Sequence, residues 1–450
     1  MTTDTPLVAP PVSPPAAAQT VTFREALVFW LKLGFISFGG PAGQIALMHK
    51  ELVEDRNWIG EADYLHALNF CHLLPGPEAQ QLATYIGWRL HGVKGGLVAG
   101  LLFVIPGALV ILGLSILYAY AARLDWFAAL FLGIKAAVLA IVVQALVRIA
   151  GRTLNTLFKR ILAVAAFVGL FLFNLSFPLL VLGAGAVGIV VAAWHPQWLA
   201  SGQAVAVSDS GPRPPWGETV RTIIAWLLVW AAPMLLVLLT LGPDHELWKI
   251  GAFFSKLAVV TFGGAYAVLA YMAQEAVQSY GWLQPGEMAD GLGLAETTPG
   301  PLIMVTQFVG FLAAFRAPEP FTPMMAGLAG AALTTWVTFT PCFLWIFTFA
   351  PWIDRLRHAT RLKGGLAAVT AAVVGVIANL GLWFALHVLF AQVQTAQAGF
   401  VRYSAPVWSS FDLVAAALAL LAFCLLFVAK WSVLRTLGLC AAAGLAVGML

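Results

Sequence analysis

Apolar runs of bilayer-spanning length recur along the chain, separated by short polar or charged turns. A helix needs about 20 predominantly apolar residues to cross the hydrocarbon core. Residues 96–120, 126–147, 219–241, 324–350, 364–389, 410–429 and 431–450 meet that length, and residues 158–194 can fold back as two spans around Asn174 to Pro178. The pattern predicts nine firm transmembrane helices. Two further stretches, 22–90 and 249–313, are apolar but carry charges and helix breakers. According to whether each re-enters or crosses the bilayer, the total is 9, 11 or 13.

The breakers recur. Phe38-Gly39-Gly40 and Pro75-Gly76-Pro77 reappear as Phe262-Gly263-Gly264 and Pro299-Gly300-Pro301, each displaced by 224 residues. Lys32, Glu51, Trp58 and Asp63 match Lys256, Glu275, Trp282 and Glu287 at the same offset. Beyond an insertion around Ala317 to Thr322 the offset rises to 235, so that Pro106 matches Pro341 and Gln144 matches Asn379. The chain divides into a tail (1–20) expected to be disordered, a first half (21–195), a polar linker (196–218), an unpaired span (219–241) and a second half (245–450).

Basic residues orient the halves, because loops rich in Lys and Arg stay cytoplasmic. The span 126–147 is preceded by Arg123 alone and followed by Arg148, Arg152, Lys159 and Arg160. The matching span 364–389 is preceded by Arg355, Arg357, Arg361 and Lys363 and followed only by Arg402. Equivalent spans thus carry their positive ends on opposite sides. The expected fold is an all-α polytopic membrane protein of two homologous halves in inverted topology, with interrupted or re-entrant helices at the motifs, a cytoplasmic N-terminus and a cytoplasmic linker.

Composition agrees. The 450 residues are 61% hydrophobic and 10% charged, against about 25% charged in soluble domains, and the mean hydropathy is +0.89. The net charge of +4 is spread over loops, with no basic run suited to nucleic acid. Cys71, Cys342, Cys424 and Cys440 have no paired spacing and read as small buried hydrophobes. No metal-ligand spacing, phosphate loop or nucleophile elbow is present, so no cofactor, metal or catalytic residue is expected, and energy must come from a gradient or the membrane potential.

Paired interruptions in corresponding positions of two halves point to a transport site. A lone Gly-Gly or Pro-Gly-Pro would be read as a packing kink; duplication beside charges favours a site. Each break exposes a helix N-terminus, whose free N–H groups and dipole hold anions. The expected binding set is Lys32, Phe38, Gly39, Gly40, Pro41, Gln44, Pro75, Gly76, Pro77 and Gln80 in the first half. Lys256, Phe262, Gly263, Gly264, Thr298, Pro299, Gly300 and Pro301 complete it in the second. Lys32 and Lys256 would balance the anion's charge. Intramembrane titratable groups are candidates for proton coupling. Here these are Glu78, His72 and Glu296, with His72 and Glu296 matching at the repeat offset. Glu51, Glu275, Asp63 and Glu287 lie in more polar sequence and are read as interfacial or capping residues.

The segment Phe35-Ile36-Ser37-Phe38-Gly39-Gly40-Pro41-Ala42-Gly43-Gln44-Ile45-Ala46, with Leu74-Pro75-Gly76-Pro77-Glu78-Ala79-Gln80-Gln81, resembles the chromate transporter family. Thr261-Phe262-Gly263-Gly264-Ala265-Tyr266 and Thr298-Pro299-Gly300-Pro301 resemble that family's second domain. The resemblance runs from Phe23 onward in the two-domain long form. It implies a bacterial inner-membrane, multi-pass carrier that exports chromate on the proton-motive force and confers chromate resistance, with sulfate as an alternative substrate. An oxyanion channel and, more remotely, a membrane-bound chromate reductase are the competing classes. The partners implied are a small inorganic oxyanion and the lipid bilayer, without nucleic acid; a homo-oligomer is left open.

Overall fold

In a computed structural model the described residues are 21–38, 40–122, 124–199, 215–262, 265–353, 360–398 and 401–448. The tail 1–20, Gly39, Arg123, Gly263, Gly264, Arg355 and Arg357 lie outside them. The chain is helical almost throughout, and six of its helices are long and apolar enough to cross a membrane, among the described residues. It is an all-α polytopic membrane protein.

The first half opens with α1 (Phe23–Ile36), capped by the Thr22 hydroxyl accepting from the Glu25 amide, then α2 (Gly40–His49) and α3 (Glu61–Cys71). Helix α4 (Glu78–Ala121) is a hairpin rather than a rod. His91 (φ −139°) and Gly92 (φ +61°) leave helical geometry and reverse the chain. The arm 78–90 lies back along 93–121, with Gly87 against Gly95 and Ala99 and Thr84 against Gly100, approaches too close to admit a Cβ. α5 (Asp125–Thr153), α6 (Leu157–Phe173) and α7 (Phe177–Trp194) follow. Asn174 (φ +48°) ends α6 in the left-handed conformation, so the 158–194 run folds back where expected.

Helix α8 (Trp216–Leu241) corresponds to the unpaired span and buries none of its residues. The second half then repeats the first: α9 (Glu246–Val260), α10 (Ala265–Gln274), α11 (Pro285–Thr297), α12 (Val305–Arg316), α13 (Pro323–Phe349) and α14 (Thr360–Leu389). Even the π-helical turns recur, at Lys50–Asp55 after α2 and Glu275–Ser279 after α10. The match lapses where β1 (Val393–Ala398) and β2 (Val401–Pro406) form an antiparallel hairpin before α15 (Leu413–Phe423) and α16 (Val433–Gly448). The hairpin departs from the all-helical expectation for this half.

Two clues fix how the halves meet. Gly96 lies against Phe347 and Gly100 against Phe343, so the long arm of α4 and its repeat-equivalent α13 run antiparallel. One buried apolar cluster joins residues of α1, α3 and the short arm of α4 to Phe343, Ile346 and Phe347 of α13, so each half's broken segments pack on the other half's helices. Three of the four free cysteines are buried as expected; Cys424 is exposed instead, on an outward face of an apolar helical segment.

Candidate functional site: paired helix breaks

The four breaks come together in two reciprocal pairs. The Gly76 amide donates to the Thr261 carbonyl at 2.8 Å, and the Gly300 amide donates to the Ser37 carbonyl at 2.9 Å. Thr261 and Ser37 are repeat equivalents, each preceding its own Phe-Gly-Gly, so the two bonds are one bond related by the internal symmetry. Both glycines adopt positive φ, +118° and +93°, a region that side chains with a Cβ enter at a cost. Each Pro-Gly-Pro is seated on the other half. The Pro299 carbonyl rests on Gly107 of α4, and Gly76 rests against the Cys342 thiol of α13.

Helices start at these breaks. α2 begins at Gly40 with Pro41 in its first turn, and α4 begins at Glu78 behind Pro77. α10 begins at Ala265, and a 3-10 turn (Leu302–Met304) behind Pro301 leads into α12. The first amides of each helix have no intrahelical acceptor.

Polar side chains reach the junction from the first half. Gln44 is fully buried and its Nε2 donates to the Gly300 carbonyl and, at 3.3 Å, to the Ser37 carbonyl. Gln81 Nε2 donates to the Pro75 carbonyl at 2.7 Å. Oε1 of Gln44, Oε1 of Gln81 and both amide atoms of the fully buried Gln80 make no hydrogen bond within the protein. Leaving a buried donor or acceptor unpaired costs about 1–3 kcal/mol. The second-half equivalents, Val268, Met304 and Val305, are apolar.

His72 and Glu78 are brought together across Pro75-Gly76-Pro77, Nδ1 to Oε2, at 3.1 Å. Glu296 stands apart from them, buried, accepting from the Tyr266 hydroxyl at 2.7 Å. Thr298 is buried and its hydroxyl donates to the Ala295 carbonyl. Phe38 is at the exposed end of the first break and Phe262 is half-buried at the second. The two lysines lie elsewhere. Lys32 is 57% exposed and pairs with Glu51 at 3.6 Å, while Lys256 is exposed and lies 5.6 Å from the Tyr271 ring. The structure does not bring either to the break junction. Asp63 pairs with Arg89 at 2.6 Å, and Glu287 caps α11 and pairs with Arg316.

A cavity of about 670 Å³ leads toward Pro75-Gly76-Pro77, lined by His66, Asn69, His72, Leu73, Lys363 and Thr370. A second, of about 410 Å³, includes Tyr118, Lys135, Glu287, Asp290 and Arg316 in its wall. Their positions correspond through the repeat: Ala62 with Gly286, His66 with Asp290, Thr370 with Lys135 and Ile353 with Tyr118. Sequence reasoning singled out none of Lys135, Asp290, Tyr118 or Gln81. The signal for Lys135 was its isolation as the one cation inside the apolar run 126–147.

The family model for the chromate transporter matches residues 24–189 and 248–445, one region in each half and most of the chain together. The chain belongs to the chromate transporter family. Among curated family relatives, the chromate transport protein of Pseudomonas aeruginosa is 30% identical over 367 residues, covering 80% of this chain and 81% of that one. The chromate transport protein of Cupriavidus metallidurans is 29% identical over 365 residues, covering 80% and 82%. The probable chromate transport protein of Synechococcus elongatus is 28% identical over 372 residues, covering 80% and 85%. No solved structure matches the chain.

Proposed function

We propose that the protein is a secondary carrier that exports a small tetrahedral oxyanion, chromate or its close analogue sulfate, across the bacterial inner membrane. The observation that carries this reading is the two reciprocal pairs of helix breaks, where helices begin with free amides and the Gln80 Nε2 donor is buried without a partner in the protein. Such a place suits an anion whose oxygens accept from N–H donors on every side. The relatives named as chromate transport proteins supply the anion. With the N-terminus in the cytoplasm, as the positive-inside pattern favours, the larger cavity opens inward and the smaller one outward. Transport then proceeds by alternating access, one half rocking against the other about the paired breaks.

Energetics favour export. A dianion leaving a cytoplasm that is negative inside is driven outward by about 2.3 kcal/mol per elementary charge per 100 mV. On this reading the His72–Glu78 pair takes up a proton beside Pro75-Gly76-Pro77, and Glu296 is the counterpart beside Pro299-Gly300-Pro301. Lys32 and Lys256 would act through the potential they set around the bilayer rather than by touching the anion. The test is radiolabelled chromate uptake into everted vesicles, with and without uncoupler, competed by sulfate, molybdate and phosphate. Saturable uptake that falls with uncoupler and is competed by sulfate is expected. Non-saturating flux without counter-transport would favour a channel, and chemical reduction of the chromate would favour an enzyme.

A further inference from the structure

The two cavities occupy equivalent places in the repeat but differ in depth and charge. The first reaches Leu73, beside Pro75 of the break. The second stops at Asp290 along α11: Gly293, Glu296 and Thr297, the equivalents of Asn69, His72 and Leu73, are absent from its wall. What lies at its closed end is a charged cluster joining the halves. Asp290 on α11 is 3% exposed, and its Oδ2 accepts from the Tyr118 hydroxyl on α4 at 2.7 Å. Its Oδ1 lies 3.3 Å from Lys135 Nζ on α5, near enough for an ion pair but without an aligned hydrogen bond.

The other charged groups facing this cluster are Glu287, on Asp290's own helix, and Arg316 on α12. They engage each other bidentately at 2.6 and 2.9 Å, which leaves Lys135 and Asp290 to each other. Gly286 makes room for the ammonium, since a Cβ there would stand 3.0 Å from Lys135 Nζ. The equivalent positions His66, Thr370 and Ile353 cannot build such a cluster, so it belongs to one cavity alone. A cation within a membrane span is costly and is retained for a task.

We propose that Lys135 is an anion-binding residue of the second cavity, and that Asp290 is the internal carboxylate that occupies Lys135 whenever the transported oxyanion does not. The idea rests on the carrier reading above. An oxyanion arriving from the breaks exchanges with the Asp290 carboxylate for Lys135, and the Tyr118 hydroxyl holds the displaced carboxylate in place. Return of Asp290 to Lys135 expels the anion into the outer part of the cavity and closes the path behind it.

The experiment measures radiolabelled sulfate and chromate binding to the purified full-length protein, alongside uptake into everted vesicles. If the Asp290-paired state outweighs the free one by about ten to one, it lowers the apparent anion affinity about tenfold. Asp290→Asn is therefore expected to bind anion about tenfold tighter and to release it more slowly. Lys135→Met is expected to weaken binding and raise the KM for uptake. The double variant Lys135→Met/Asp290→Asn leaves no buried unpaired charge, so it should fold while binding as weakly as Lys135→Met. Wild-type affinity and uptake in the double variant would show a merely structural pair and overturn the proposal. Should the Lys135 variants fail to fold, Asp290→Asn decides alone: tighter binding supports the proposal, and unchanged or weaker binding overturns it. If wild-type protein neither binds nor accumulates either anion, the carrier reading itself falls and this inference with it.

Discussion

Gly76 and Gly300 each hold a conformation in which a Cβ is penalised by about 1–2 kcal/mol, and both are bonded to the opposite half. Gly300→Ala should therefore keep near-normal expression yet lose most chromate export, because the break shifts off the Ser37 carbonyl. Gln80→Leu is more discriminating. It removes an amide whose two polar atoms find no partner in the protein, so thermal stability should hold or rise while export falls about tenfold, an outcome expected when a buried polar group is kept for a ligand. Unchanged export in Gln80→Leu would remove Gln80 from the anion's shell. At this scale the sequence was partly legible. Duplication exposed the Pro-Gly-Pro glycines, whereas Lys135 was visible only as a lone cation. Its partner Asp290 is 155 positions away in a stretch with ordinary interfacial charges, and no local pattern reports such a pairing.

Among the elements, the motif regions are hairpins that turn back inside the protein. Arms α1 and α2, then α3 and the short arm of α4, meet the junction from one side, and α9 to α12 meet it from the other. The choice between 9, 11 and 13 crossings was open in the sequence because apolar composition alone does not tell a stretch that re-enters from one that crosses; the turn at His91-Gly92, flanked by Arg89 and Lys94, is closed by Gly87–Gly95 packing. Ion pairs clasp the arms in both halves, Arg89 with Asp63 and Arg316 with Glu287; the carboxylates are repeat equivalents and the arginines are about one helical turn apart in the repeat. Such partly exposed pairs contribute about 1 kcal/mol or less. Arg316→Met should accordingly lower the thermal midpoint by only a little and leave the KM for export near wild type. A large rise in KM would mean that Arg316 serves the second cavity directly.

For the whole molecule, the long arm of α4 and its repeat equivalent α13 pack antiparallel, and the loop charges separately predict opposite insertion of the two halves. The two signals have separate origins: one is the cost of moving cations across a membrane, the other is side-chain packing. Reporter fusions at Arg123 and Arg357 should consequently report opposite sides of the membrane, and the same side for both would exclude inverted insertion. The β1–β2 hairpin was invisible at this level because it interrupts only one copy of the repeat.

The reciprocal bonds at the breaks also bear on the order of synthesis. Ser37 emerges early, but its carbonyl has no donor until Gly300 has been made, and the Gly76 amide waits for Thr261. The first half must enter the bilayer with its break unfinished and its glutamines unshielded. Only the arrival of the second half closes these bonds. A chain stopped after α8 would therefore be inserted but incomplete, an expected substrate for membrane quality control.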